Sequence, residues 1–570
     1  MLLACARLDN RIRLLAETGL HDAPAVDDCA LIEAMLARTG EDGVAHLAGD
    51  FVFAHWDPER ARLLLARDAQ GARALYYFHH DGVFAFCTQI RALLALPCVS
   101  SVLREETLAR NLNGQSAGAG WTCYEQIRVL PAAHLLSFAA SRSHLRQYWM
   151  PQACPAVFHA QHEGYARDLR QRVTAAVESR LRNGQKIAVH LSGGLDSSAI
   201  ACLAARALKR QGRRLVALCS VLPEDYRGPE SDEKQYMRAV LAQEGNIDAV
   251  WIESALDLPV FGDLPRVFRI LGQPTYSNIS HIDMALGEAG RAQGVDVVLS
   301  GVGGDLFASA RGDCSVRELL VQGKWAYAVS ELLALRKTQS RSIAGLMRAE
   351  VLRPMLQKIL RKWLIERRGK TCLTPELRRR MRTEPGQPQP IGYSSFLGTS
   401  VREAMRMLAT PGVLDQVLTS QLDIFALEFG QHLTFPLLDR YVIEFMLGLP
   451  DEQFRLGGWP RGIFRRAMQG IIPESIRMRR EKGAAFDPAI SSRVVAQKDM
   501  LADWATADRP CWRFVDRAAY LAALAQVQRA ERSKWQQEMF SIVLRGGAVA
   551  HFVDWHYRHY GESLVCRAPT

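Results

Sequence analysis

Through the middle of the chain, short unbroken apolar runs alternate with segments whose apolar residues recur every three or four positions. The runs are Ile187, Ala188 and Val189, then residues 215–221 (LVALCSV), 248–252 (DAVWI) and 295–300 (VDVVLS). The helical periods lie at residues 164–177, 195–208 and 231–241. Apolar runs of that length suit strands buried on both faces, and the three-to-four spacing marks amphipathic helices. Such alternation predicts a doubly wound parallel sheet, with ligands outside the carboxyl ends of its strands. The first 150 residues have another rhythm. Residues 49–57, 61–68, 75–78 and 83–87 are separated by Asp-Pro, Gly and Asp-Gly turns, which predicts a stacked antiparallel sheet. The expected fold is therefore α/β: an antiparallel β-rich domain over residues 1–150, a Pro/Ala/Gln linker near 150–161, and a parallel-sheet domain over 160–570 with a helical C-terminal part.

Length and composition narrow the class. A chain of 570 residues with 48% apolar content is expected to hold at least two domains, and no apolar run approaches a membrane span. The start, Met1 to Arg7, is too short and too soon charged for a signal peptide, so the expected location is cytoplasmic. Twelve cysteines stand singly with no CxxC, which predicts neither a zinc site nor a disulfide framework. The net charge is +11, and residues 341–382 hold thirteen Arg or Lys against three Glu, a local balance of +10.

The chemistry concentrates where the first parallel strand ends. Leu191, Ser192, Gly193, Gly194, Asp196, Ser197 and Ser198 lead from that strand into an Ala/Leu-rich helix. Backbone N–H groups, hydroxyls and the positive end of a helix dipole converge there, which suits a phosphate. A carboxylate among anion donors needs a cation, so Asp196 is expected to carry Mg²⁺ bound to the phosphates. No lysine follows the glycines, so this is not the GxxxxGK[ST] loop. It resembles instead the SGGxDS turn of the PP-loop enzymes, which split ATP between its α and β phosphates. A second turn, Ser300, Gly301, Val302, Gly303, Gly304 and Asp305, closes the last apolar run. Topology places it beside the first, so Ser300 and Gly301 join the expected ATP set and Asp305 becomes the second expected Mg²⁺ ligand.

Residues 49–77 (GDFVFAHWDPERARLLLARDAQGARALYY) and 84–97 (FAFCTQIRALLALP) resemble the second half of the class II, Ntn-type glutaminase domain of asparagine synthetases. In that family an N-terminal cysteine is the nucleophile. This chain begins Met1-Leu2, and Cys5 lies inside a strand-like run, so the domain is expected to be partial and without glutaminase activity. The parallel-sheet domain resembles the synthetase half of the same family as far as about Pro488. In the resemblance the second turn carries a glutamate, where Val302 stands here; the related β-lactam synthetases have a tyrosine. If a base is needed, Asp423, Glu428 and His432 on the following helix are candidates that the sequence does not rank. Residues 435–440, 444–450 and 461–488 resemble the family's C-terminal block, which implies an active-site lysine at Lys482. A fixed ammonium there would stabilise charge during adenylation and amine attack.

Three departures point to the acceptor: the missing cysteine, Val302, and a basic insertion at about 310–392. Together they resemble the macrolactam synthetases of lasso-peptide pathways. That resemblance implies ATP and Mg²⁺ as cofactors and a leader-processed precursor peptide as substrate. It also implies the pathway's leader-binding protein and peptidase as partners. The alternatives are glutamine-hydrolysing asparagine synthesis, a tRNA-modifying PP-loop protein, or an inactive peptide-binding homologue. A nucleic-acid partner is not expected, because no aromatic stacking pattern is interleaved with the arginines.

Overall fold

The computed structural model describes residues 1–20, 26–139, 142–151, 155–182, 184–227, 232–254, 258–275, 280–360, 371–381, 396–480, 490–527 and 539–561. Eight strands form the N-terminal part: β1 (Leu2–Leu8), β2 (Gly49–Asp57), β3 (Arg62–Arg67), β4 (Tyr76–His80), β5 (Val83–Cys87), β6 (Ile127–Val129), β7 (His134–Ala139) and β8 (Arg142–Gln147). They make two antiparallel sheets, ordered β1-β2-β3-β7-β8 and β5-β4-β6, where the apolar rhythm predicted one. The split comes from Asp68. Its buried carboxylate accepts the N–H groups of Gln70 and Ala72, each at 3.0 Å, and turns the chain out of the first sheet before β4 begins.

The second domain is built on β9 (Ile187–His190), β10 (Leu215–Val221), β11 (Ile247–Glu253), β12 (Val297–Leu299) and β13 (His432–Thr434). All are parallel, in the order β11-β10-β9-β12-β13. The chain leaves β9 toward β10 on one side and returns to β12 on the other, so the crevice between β9 and β12 is the topological switch point. Helix Leu195–Arg210 buries Ser197 to Ala205 without a break, and its run of Ala and Ser lets the helix backbone lie close to the sheet. Strand β13 was expected to be helix. Only Leu433 and Thr434 of its three residues are fully buried, too short a pattern to announce a strand.

The two domains are joined by buried charge. Arg180, 3% exposed, pairs with Asp9 at 3.1 Å and Asp439 at 3.3 Å, and donates to Thr434 Oγ1 at 3.0 Å. Arg7 pairs with Asp50 at 2.6 Å and donates from Nε to His432 Nε2 at 3.0 Å. Arg67 reaches Asp415 at 3.3 Å and Thr419 Oγ1 at 2.9 Å. At the far end, helix Arg545–Tyr560 lays Phe552 and Trp555 into one apolar core with Tyr76, Phe78, Leu108 and Tyr124 of the N-terminal domain. Its His556 Nε2 lies 3.0 Å from the Ser101 carbonyl. Among the described residues no helix is long and apolar enough to cross a membrane, and all ten described cysteines are free thiols.

Removing one partner of a buried ion pair strands the other charge. Arg180→Met, which leaves Asp439 without Arg180 and Asp9 with Arg7 alone, is expected to cost about 3–5 kcal/mol in urea denaturation. Burial chiefly, together with Arg7 and Arg73, holds the His432 ring at about 4 against its ordinary 6.5. The unfolded chain therefore binds a proton in this window that the folded chain does not, and stability falls as pH drops from 6.5 toward 4. His432→Asn is expected to remove that part of the acid limb in unfolding midpoints measured across pH.

Candidate active site

The end of β9 turns through Gly193 at φ +72°, a conformation that favours glycine, and a Cβ there would lie 2.9 Å from the Glu233 carbonyl oxygen. Gly194 then caps helix Leu195–Arg210, putting Asp196 in its first turn. Ser192 Oγ and Ser197 Oγ are 2.9 Å apart, and the Ser192 N–H reaches Ser197 Oγ at 3.2 Å. Ser198 Oγ is buried with no hydrogen-bond partner among the described residues. Leu191 is buried, its N–H donating to the Leu218 carbonyl at 3.0 Å, so it contributes backbone rather than side chain.

The second turn sits directly on the first. Ser300, buried at the end of β12, donates its N–H to the Thr434 carbonyl at 2.9 Å, so β13 sets where the turn starts. A Cβ on Gly301 would stand 2.8 Å from the Ser197 nitrogen, and one on Gly304 would stand 2.6 Å from Asp196 Cγ. Gly303, at φ +83°, would drive a Cβ into Leu438 at 2.4 Å. Asp305 follows Gly304 in the 3-10 turn Gly304–Leu306 and is itself exposed, one residue beyond the glycine that packs on Asp196. Val302 packs partly buried against the sheet core.

No cluster of three His, Cys, Asp or Glu occurs among the described residues. Two carboxylates beside a phosphate cradle fit a Mg²⁺ that takes its other ligands from phosphate oxygens and water. Glycines that let two backbone turns meet at a helix start, and the buried Ser198 hydroxyl without a partner among the described residues, fit a polyphosphate.

One cation of the site was missed in the sequence. Arg461, 9% exposed, sits at φ +62° and brings a guanidinium 3.3 Å from Asp196 Oδ2 and 2.8 Å from Ser309 Oγ. Its signal was present in residues 461–488, but nothing there separates it from the five other arginines of the block. Lys482 lies outside the described residues. The chain leading to it is pinned beside the phosphate loop: Arg465 donates to the carbonyls of Arg477 and Arg479, and Arg479 pairs with Glu233 and stacks 4.1 Å over Tyr236. Glu233 and Tyr236 are the residues against which Gly193 packs.

The three expected bases do not share a helix. Asp423 closes helix Asp415–Asp423, and burial pushes its carboxyl up to about 7 against the opposing pull of Arg73 and Arg67. Glu428 ends the π-turn Ile424–Glu428 and is paired with Arg266 at 2.5 Å. His432 belongs to β13, between Arg7, Arg73 and Asp50. The chain turns at Phe429 and Gly430 because β13 must pair with β12.

A parallel sheet of this order with two glycine turns at its switch point defines an ATP-site fold of the PP-loop kind. Sequence profiles agree: asparagine synthase matches residues 168–557, and a glutamine amidotransferase domain matches residues 13–149. The chain belongs to the asparagine synthase family. It is 25% identical to "Asparagine synthetase [glutamine-hydrolyzing] 3" of Bacillus subtilis, over 77% of this chain and 68% of that protein. It is also 29% identical to two fungal proteins named amidases, chyE of Penicillium rubens and chry2 of Gibberella zeae, each over 49% of this chain. The chain spans 42% of the length of each fungal relative.

Gly301→Ala puts a methyl against the Ser197 backbone nitrogen, so the helix start must shift. It is expected to cost about 1–3 kcal/mol of stability and to weaken MgATP binding about tenfold or more in calorimetric titration. Asp196→Ala and Asp305→Ala are expected to abolish AMP formation, the exposed Asp305 with little change in melting temperature and Asp196 with a lowered one because Arg461 loses its partner; normal turnover by either removes that residue from the site.

Proposed function

We propose that the protein is an AMP-forming carbon–nitrogen ligase that closes a macrolactam ring on a precursor peptide. The observation that carries the ligase reading is the contact of the two glycine turns, Gly301 on Ser197 and Gly304 on Asp196, which brings together the aspartate-bearing turns that follow β9 and β12. A peptide side-chain carboxylate attacks the α-phosphorus of ATP; the α–β phosphoanhydride bond breaks, pyrophosphate leaves and an acyl-AMP remains. The peptide's own α-amine then attacks the acyl carbon, the acyl–oxygen bond breaks, AMP leaves and the amine loses a proton. Asp196 and Asp305 would hold a Mg²⁺, which would supply positive charge to the leaving pyrophosphate. Arg461 adds positive charge on the same side, and Lys482 stabilises charge as it develops on the α-phosphate. Asp423, whose carboxyl burial pushes up to about 7, remains a candidate base on its ionisation only.

The acceptor reading rests on what surrounds that cleft. Val302 brings no acid or phenol to the second turn. The described part of the insertion is largely helical, including Ser315–Val321, Trp325–Gln339, Ile343–Met347, Arg353–Ile359 and Pro375–Arg380. It exposes Trp325, Val329 and Leu333 along one face, and further on Met355, Leu356 and Ile359. An apolar surface flanked by a +10 segment suits a peptide with apolar and acidic side chains. A leader-binding protein and a peptidase would act on the same peptide before it reaches this site. Glutamine-hydrolysing asparagine synthesis is favoured by the amidotransferase match over residues 13–149. The two readings separate on nitrogen source.

With cognate peptide and MgATP, mass spectrometry is expected to show loss of one water from the peptide with one AMP and one pyrophosphate formed, and no glutamate released from added glutamine. Stoichiometric glutamate release with asparagine formation would establish the other reading. Lys482→Ala is expected to raise the barrier by about 2.7–4 kcal/mol with little change in ATP affinity. Neutralising the arginines between 361 and 382 is expected instead to raise the peptide KM and flatten its salt dependence. Steady-state kinetics across ionic strength checks both; exchanged phenotypes would reverse the two roles.

A further inference from the structure

The hairpin that delivers Arg461 is gripped from the insertion. Arg455–Leu456 pairs antiparallel with Trp459–Pro460, leaving Gly457 and Gly458 between them at φ +62° and +76°. Two successive positive φ values make a tight mirror-image turn that glycine adopts without strain. Both amides point at one carboxylate: Gly457 N–H donates to Glu331 Oε1 at 2.5 Å, and Gly458 N–H donates to Glu331 Oε2 at 2.9 Å. Glu331 lies on helix Trp325–Gln339, is 6% exposed, and pairs with no cation among the described residues. A buried carboxylate is costly unless its oxygens are satisfied, and these two amides satisfy one oxygen each. The contact extends to the backbone, since a Cβ on Gly458 would stand 2.9 Å from the Ala334 carbonyl carbon.

The grip is transmitted to the site. Just beyond the turn, Pro460 accepts a hydrogen bond from Arg465 Nε at 3.0 Å, and Gly462 N–H reaches the Phe454 carbonyl at 2.7 Å. Arg461 stands between them in a left-handed backbone conformation that a non-glycine residue keeps only where its surroundings enforce it. Its guanidinium meets Asp196 and Ser309.

We propose that Glu331 is a positioning residue of the nucleotide site: by holding the turn at residues 457 and 458, it fixes where Arg461 presents its charge beside Asp196. The insertion is then a structural part of the ATP site. The assignment rests on reading the paired glycine turns as a site for ATP, but not on any choice of acceptor.

Calorimetric titration of the full chain with MgATP and with AMP tests it, because AMP lacks the phosphates that Arg461 would meet. In Glu331→Gln the amide nitrogen faces one of the two N–H donors and cannot accept it. That variant is expected to bind MgATP about fivefold more weakly, with AMP affinity changed less than about twofold. Gly458→Ala, which pushes the turn off the helix, is expected to give the same split. Added to Arg461→Ala, Glu331→Gln is expected to cost less than about twofold more, since its effect passes through the residue already removed. Equal losses for MgATP and AMP, full additivity with Arg461→Ala, unchanged MgATP binding, or loss of cooperative melting in Glu331→Gln would each overturn the assignment. Wild-type protein that binds AMP and MgATP equally would also overturn it. Wild-type protein that binds neither would instead refute the ATP-site reading on which it stands.

Discussion

The structure depends on two backbone turns packing closer than any side chain would permit. Strands β9 and β12 are neighbours in the sheet, so the segments leaving their carboxyl ends compete for the same space. Glycine at 301 and 304 lets the second turn rest on the nitrogen of Ser197 and the carboxylate of Asp196, and glycine at 193 lets the first turn rest on Glu233 and Tyr236. Each contact excludes a Cβ, so the two turns meet through backbone. Asp196 and Asp305 are carried on these turns, and Arg461 reaches Asp196 from the hairpin at residues 455–460.

Much of this was legible in the residues because the relevant signals are local. A buried run, two glycines, an aspartate and an Ala-rich helix are contiguous, and so was the strand–turn at residues 295–305. The parallel, doubly wound character of the sheet followed from alternation alone. What stayed hidden is set by contacts distant in sequence. Strand β13 is three residues long and exists because β12 offers an open edge 135 residues earlier. That edge also turned the expected helix into the turn that separates Glu428 from His432. Arg461 was one arginine among several until the fold brought it to Asp196. The single N-terminal sheet was expected because turn residues mark where strands end, not to which sheet the next strand belongs.

The interface between the domains carries more buried charge than apolar surface alone would require. Arg7, Arg67 and Arg180 each cross it, and each ends on a carboxylate or hydroxyl of the other side. Such pairs add little net stability over an apolar seam, but they tolerate one arrangement only. Thr434 shows what that arrangement holds: its hydroxyl receives Arg7 and Arg180, and its carbonyl receives the N–H of Ser300, where the second glycine turn begins. The N-terminal domain thus bears on the nucleotide site mechanically, through one residue of β13.

The placement of helix Arg545–Tyr560 has a consequence for how the protein comes into being. Its Phe552 and Trp555 complete the core around Tyr76, Phe78 and Tyr124, so the N-terminal sheet lacks part of its interior until residues 545–560 have been made. Until then that small sheet presents aromatic side chains to solvent. Maturation therefore includes the return of this helix to a domain made long before it, and the surfaces awaiting it are the natural places for a chaperone to hold.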